Sequence, residues 1–241
     1  MCGRYALFHT AEALTRLFDL AECVDLAPRY NITPGTAIPV IRRSPAGRSV
    51  LHLLHWGLVP HWSRDPTVGA RLINARSETV MAKPSFRNAF QHRRCLIPAS
   101  GFFEWQRQGP HRQPHYFSAP DGRLLAMGGL WESWQAPDGS LLRTTCILTR
   151  TADAPVASLH DRMPLILPPT AWRNWLGGSA TEALALLVPT SGATLRVWPV
   201  GQRVNRVHEE GPGLIEPTAD PEDRQSLLWD VPATAPDRPV D

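Results

Sequence analysis

Between Arg94 and Thr149 the chain offers little but strand: RCLIPA (94–99), GFFEWQ (101–106), HYFS (115–118), RLLAMGGLWES (123–133) and RTTCILT (143–149) follow one another. Runs rich in β-branched and aromatic residues, bounded by turn residues, favour pleated sheet over helix. Asp121-Gly122 and Asp138-Gly139 fall between such runs and are expected to act as hairpin turns. IPVIRR (38–43), SVLHLLHW (49–56) and LRVWPV (195–200) add further strands. The helices are few and short. Thr10 caps one over AEALTRLFDL, and KPSFRNAF (83–90), PPTAWRNWLGG (168–178) and TEALALL (181–187) supply the rest. RYNITPG (29–35) reads as a loop, as does the long Pro- and Trp-rich stretch from Gly57 to Ala70. The expected class is α+β, in one domain covering residues 1–215. Residues 216–241 are acidic and rich in Pro and Asp, and read as a disordered tail.

Charge is distributed unevenly. Residues 208–241 carry nine acidic and two basic side chains, whereas residues 1–207 carry 13 acidic and 23 basic. A basic body of this kind suits an anionic partner, nucleic acid included, though a merely solvated surface is the plainer explanation. Of the 25 basic residues only Lys83 is a lysine. Amines able to form a Schiff base are therefore almost confined to Lys83 and the chain terminus. No apolar run reaches membrane-spanning length and no secretory leader is evident, which points to a cytoplasmic protein.

The four cysteines, Cys2, Cys23, Cys95 and Cys146, are spaced for neither a zinc site nor a disulfide framework. Cys95 and Cys146 lie in apolar strands and read as core; Cys23 follows a helix without an obvious partner. Cys2 differs. Removal of Met1 would leave an N-terminal cysteine, with a thiol and an α-amine on adjacent carbons and ordinary pKa values of roughly 8.5 and 8. An aldehyde condenses with the amine, and the thiol then closes a five-membered thiazolidine.

Three other segments add polar groups to that nucleophile. INARSET (73–79) would put Asn74, Arg76 and Glu78 on one face of a strand. GFFEW sets Glu104 among aromatic residues, where a carboxylate is desolvated and holds its proton. SLHDRMP (158–164) places His160 beside Asp161 and Arg162. Each has a bland explanation alone; together they form a nucleophile, an acid/base pair and an amide donor. No metal or other cofactor is called for.

These segments are also where the chain resembles the SRAP family of abasic-site-processing proteins. The resemblance runs through MCGRY (1–5), RYNITPGT (29–36), HWGLVPHW (55–62), LINARSET (72–79), RCLIPASGFFEW (94–105), LTRTAD (148–153), LHDRMPLIL (159–167) and WPVGQRVN (198–205). It implies an α+β domain on a bulged, coiled, mostly antiparallel sheet that binds single-stranded DNA and cross-links to abasic sites through its N-terminal cysteine. It makes Cys2 the thiazolidine-forming nucleophile, with Asn74 holding the sugar or the N-terminus, Glu104 shuttling protons and His160 acting on the opened sugar. It further implies that Arg4, Arg76 and Arg162 grip phosphates, and that Trp62 and Pro34 pack against bases. Where family members can carry a second aromatic after Trp62, this chain has Ser63. The family also links Met1 removal to autoproteolysis. A monomer suffices for all of this.

Two other functions use the same residues. An N-terminal-nucleophile amidohydrolase would attack a small amide with Cys2 and use the α-amine as base. A plain single-strand-binding module would leave Cys2 incidental, and would show steep salt dependence without preference for abasic DNA.

Overall fold

The alternating runs become strands, and the strands sort into two sheets. The computed structural model describes residues 2–22, 25–108, 111–188 and 194–218; Cys23 and most of the expected tail lie outside them. In chain order the strands are β1 (Tyr5–Leu7), β2 (Arg29–Ile32), β3 (Ala37–Arg43), β4 (Ser49–Trp56), β5 (Asn74–Arg76), β6 (Arg94–Ala99), β7 (Gly101–Gln108), β8 (His111–Ser118), β9 (Leu125–Gln135), β10 (Leu141–Thr151), β11 (Arg162–Pro164) and β12 (Arg196–Pro199). The first sheet has the order β12-β8-β7-β1-β2 and is antiparallel throughout. The second has the order β11-β10-β4-β3-β6-β9, and β9 also pairs with β10, so β10, β4, β3, β6 and β9 close into a ring. Among the named strand pairs of the described residues, β10–β4 and β10–β5 alone run parallel. This is an α+β domain on a curled, mostly antiparallel sheet.

Between β6 and β7 the chain passes from one sheet to the other through one residue, Ser100. Gly101 makes the step possible. A Cβ there would stand 2.3 Å from the Phe117 carbonyl oxygen and 2.4 Å from the Tyr116 hydroxyl, so only glycine lets β7 approach β8 this closely.

The two Asp-Gly turns differ in what they join. Asp138-Gly139 turns the β9–β10 hairpin, in which Gln135 faces Leu141. Asp121-Gly122 joins β8 to β9, which belong to different sheets, so it redirects the chain rather than closing a hairpin. Turn chemistry sets a local reversal and leaves the choice of strand partner to the rest of the fold. The expected loop at 29–35 is likewise corrected. Arg29–Ile32 form β2, an edge strand paired with β1 across a register shift. That pairing spans more than 20 residues of intervening chain, and no local pattern announces it.

Helix α1 (Ala11–Phe18) starts where expected, with the Thr10 side chain accepting from the Ala13 N–H at 3.2 Å. Helix α2 covers Pro84–His92 and α3 covers Pro169–Gly177. Helix α4 (Ala180–Ala185) opens on a capping box between Ser179 and Glu182. Within the expected 57–70 loop, Pro66–Arg71 forms a 3-10 turn capped by Asp65. Helix α3 buries Trp175 against β6, where its indole N–H donates to the Cys95 carbonyl at 2.8 Å. Cys95 and Cys146 are fully buried in the core. The ordered chain reaches at least Thr218, whose N–H donates to the Pro199 carbonyl at 3.0 Å. Among the described residues no helix is long and apolar enough to cross a membrane.

Candidate active site

Strand β10 is longer than its place in the ring requires. Its first half pairs with β9 and β4; its overhanging second half picks up β5 on one edge, at Ile147–Thr149, and β11 on the other, at Thr149–Thr151. Those two short strands bring Asn74 and Arg162 to one end of the sheet. The segment before β1 arrives there from the other sheet. Phe103 on β7 donates its N–H to the Arg4 carbonyl at 3.0 Å, which extends the β1–β7 pairing toward Cys2.

At this end of the sheets Asn74 reaches across, its side-chain N–H donating to the Cys2 carbonyl at 2.9 Å. Asn74 Oδ1 is buried and has no hydrogen-bond partner among the described residues. Cys2 is fully buried. Burial raises its thiol pKa far above the ordinary value, and the charge of nearby Glu104 pushes the same way. The resting thiol is protonated and needs a base before it can attack.

Glu104 leaves only 3% of its surface exposed. Burial pushes its carboxyl up to about 7, so it is poised to give or take a proton near neutrality. Its field also senses Asp161, which places the 160–162 segment in the same neighbourhood. His160 is half-buried, and burial lowers its pKa, so the ring is neutral near pH 7. Its Nδ1 accepts the Arg162 N–H at 2.9 Å, which assigns the ring proton to Nε2. The Asp161 carboxylate lies 2.9 Å from the same nitrogen, a contact that requires the protonated ring. The charge of Asp161 favours the protonated ring and so opposes burial, which is the larger effect.

The three arginines occupy different settings. Arg76 is exposed at the end of β5, and among the described residues no ion pair or hydrogen bond of its side chain is recorded. Arg4 is turned inward, donating to Asn31 Oδ1 at 2.7 Å and to the Val204 carbonyl, with its guanidinium 5.7 Å from the Trp105 ring. Arg162 is buried, and its two Nη atoms bond Glu78 at 2.6 and 2.8 Å while Nη2 also bonds the Thr149 carbonyl at 2.6 Å. Those bonds hold the Glu78 carboxyl down to about 2. Glu78 itself lies beyond β5 in a 3-10 turn at Ser77–Thr79, so the expected strand face shared by Asn74, Arg76 and Glu78 stops at Arg76.

Trp62 is 57% exposed. The loop that carries it leaves the end of β4 and is pinned to the ring: Val59 donates to Thr144 Oγ1 at 2.9 Å, and the Trp134 indole to the Ser63 carbonyl at 2.7 Å. Pro34 is half-buried in the turn after β2, where the Gly35 N–H bonds the Trp56 carbonyl at 2.9 Å. One structural carboxylate was not singled out from sequence. Glu132 on β9 is buried, bonded by Arg93 at 2.9 Å and by His61 at 3.2 Å. The signal that marked Glu104, a lone carboxylate in an aromatic strand, is present again in GLWES.

Comparison with known proteins places this arrangement in context. Residues 1–207 match the family described as SOS response associated peptidase (SRAP). The chain is 34% identical over 223 residues to the abasic site processing protein YoqW of Bacillus subtilis (strain 168), covering 90% of this chain and 99% of that protein. It is 33% identical over 233 residues to the abasic site processing protein YedK of Escherichia coli (strain K12), covering 90% and 100%. The abasic site processing protein HMCES of Mus musculus is 31% identical over 270 residues, covering 90% and 76%. A crystal structure of a Bacteroides thetaiotaomicron protein superposes with a TM-score of 0.80 at 23% identity, covering 90% of this chain and 100% of that one.

Proposed function

Because this chain belongs to the SOS response associated peptidase (SRAP) family, we propose that it processes abasic sites, binding single-stranded DNA and joining it covalently through a thiazolidine on Cys2. The observation that carries the reading is the Asn74 bond to the Cys2 carbonyl beside a buried carboxyl poised near 7.

The chemistry proceeds in balanced steps. Loss of Met1 turns the Cys2 amide nitrogen into an amine. His160 exchanges the proton that opens the sugar ring and exposes an aldehyde at C1′. The Cys2 amine adds to that carbon, and the carbinolamine loses water to give a protonated imine. Glu104 supplies the proton for the departing water and then takes the proton of the thiol. The thiolate adds to the carbon of the protonated imine, and the nitrogen keeps its proton as the ring closes, leaving Glu104 protonated as it began. A buried, protonated thiol fits this order, with the amine attacking first and the sulfur second. Arg76 is the arginine best placed to hold a flanking phosphate, and Trp62 offers a face for base stacking. Arg4 and Arg162 fit this reading better as residues that hold the site's walls, each donating to protein oxygens. The protein would act as a cytoplasmic monomer, at the nucleoid when bound to DNA, with residues 1–215 as the working domain and the acidic remainder as a tail.

Intact mass spectrometry before and after incubation with abasic single-stranded DNA tests the proposal. The expected results are loss of Met1 and a denaturation-resistant adduct that Cys2→Ala does not form. An identical heat-stable adduct from Cys2→Ala, or none from the parent, would overturn it. The family's description as a peptidase favours a second reading, an amidohydrolase using the same cysteine. Its signature is amide turnover without a DNA adduct.

A further inference from the structure

The five-stranded ring has an end where β3 and β9 stop and β4, β6 and β10 begin. Register shows which side chains line its inner side. Arg42 faces Val50, and Val40 faces His52. Arg143 faces Ser133, and Thr145 faces both Trp131 on β9 and Trp56 on β4. Because side chains alternate along a strand, Arg42, His52, Trp131 and Arg143 all fall on one side. Reach identifies that side as the concave one. The Arg42 guanidinium lies 4.8 Å from the Trp131 ring centroid, although β6 separates β3 from β9. Cys95 on β6 likewise reaches Thr145 Oγ1 on β10 at 3.6 Å, across β9.

The mouth so formed is cationic and unbalanced. Arg42 Nη2 lies 3.0 Å from His52 Nε2. Among the described residues no carboxylate comes within ion-pair distance of Arg42, His52 or Arg143. Arg42 Nε is buried without a hydrogen-bond partner among the described residues. Burial, and after it the charge of Arg143, lowers the Arg42 pKa. His52 is lowered by burial, then by Arg42 and Arg143; Glu22 acts on it in the opposite direction. Gathering like charges at a partly desolvated rim is unfavourable unless an anion completes it.

We propose that this mouth binds a phosphate-type oxyanion between Arg42 and Arg143. Guanidinium forks match such an oxyanion in charge and in hydrogen-bond geometry. Trp131 supports the flat face of Arg42, and His52 accepts one Arg42 N–H and fixes the fork's orientation. The site stands apart from Cys2. Asn74 pairs with Ile147, four residues or about 13 Å along β10 from Arg143. It therefore does not depend on the abasic-site reading. The oxyanion could belong to a small phosphorylated molecule or to a DNA backbone, which share this chemistry.

The test follows the His52 imidazole and Trp131 indole NMR signals during titration with inorganic phosphate, at ionic strength held constant with chloride. Both signals should shift saturably in the parent. The response should vanish in Arg143→Ala, an exposed position that leaves thermal stability unchanged. It should weaken about tenfold in Arg42→Lys, which keeps the charge but loses the fork. Absence of a saturable shift in the parent, or the same response in both variants, overturns the proposal. Intact single-stranded DNA added to the phosphate-saturated protein then separates the sources. Displacement of phosphate identifies a backbone phosphate as the occupant, and retention identifies a small phosphorylated molecule; both support the site.

Discussion

The Asn74 side chain, on a strand of the ring-forming sheet, donates to the Cys2 carbonyl at 2.9 Å and so ties the N-terminal segment of one sheet to the other. This bond, with the Phe103–Arg4 pairing, holds the Cys2 backbone beside Glu104. Asn74→Ala should lower the single-turnover cross-linking rate about tenfold, the equivalent of one ordinary hydrogen bond of about 1–1.5 kcal/mol. A rate equal to the parent's would show that Cys2 is positioned by other means.

Glu104 links activity to pH. Its folded pKa of about 7 stands above its ordinary value of 4.5, so the native state holds this proton longer than the unfolded chain does. The stability it contributes is full below about 4.5 and is lost as pH rises through about 7. Glu104→Gln should erase that slope and be more stable than the parent at pH 8, by at most about 3 kcal/mol. Its cross-linking rate should fall and lose the inflection near pH 7. Denaturant melts and rate profiles between about pH 5 and 9 measure both.

Glu78 has the opposite sign. Held down to about 2 by Arg162, its carboxyl contributes stability above about 4.5 that is lost as pH falls toward 2. Arg162→Met removes both Glu78 bonds and the donor to the Thr149 carbonyl. It should destabilise the protein by about 1–3 kcal/mol at neutral pH. The partly exposed Glu78 is screened, which keeps the loss at the lower end. The difference from the parent should shrink in acid, as followed by thermal melts.

Arg76 and Trp62 separate binding from folding, because both are exposed. Arg76→Ala should leave the melting temperature unchanged and reduce the slope of log affinity against log salt by about 0.7, one phosphate contact on a single strand. Trp62→Ala should weaken binding of single-stranded DNA by about 1–3 kcal/mol, the contribution of one stacked base, with no change in the salt slope. Fluorescence anisotropy across a salt series reads both.

What the sequence determined by itself was local. The strands at 49–56 and 94–99, the Thr10 cap and the desolvated setting of Glu104 follow from alternation, capping chemistry and aromatic neighbours, all within a few residues. The place of Cys2 directly after Met1 needs no fold at all. Tertiary structure decided what those elements meet. It made one Asp-Gly a hairpin and the other a passage between sheets, drew Arg29–Ile32 out of a loop into β2, and used Arg162 to hold Glu78. It also closed the ring that turns Arg42, His52, Trp131 and Arg143 toward one another from four strands. The physical reason is the same in each case. Hydrogen-bond partners and charges separated by tens of residues are chosen by strand register and by the burial of the whole core, and neither is written into any local run of side chains.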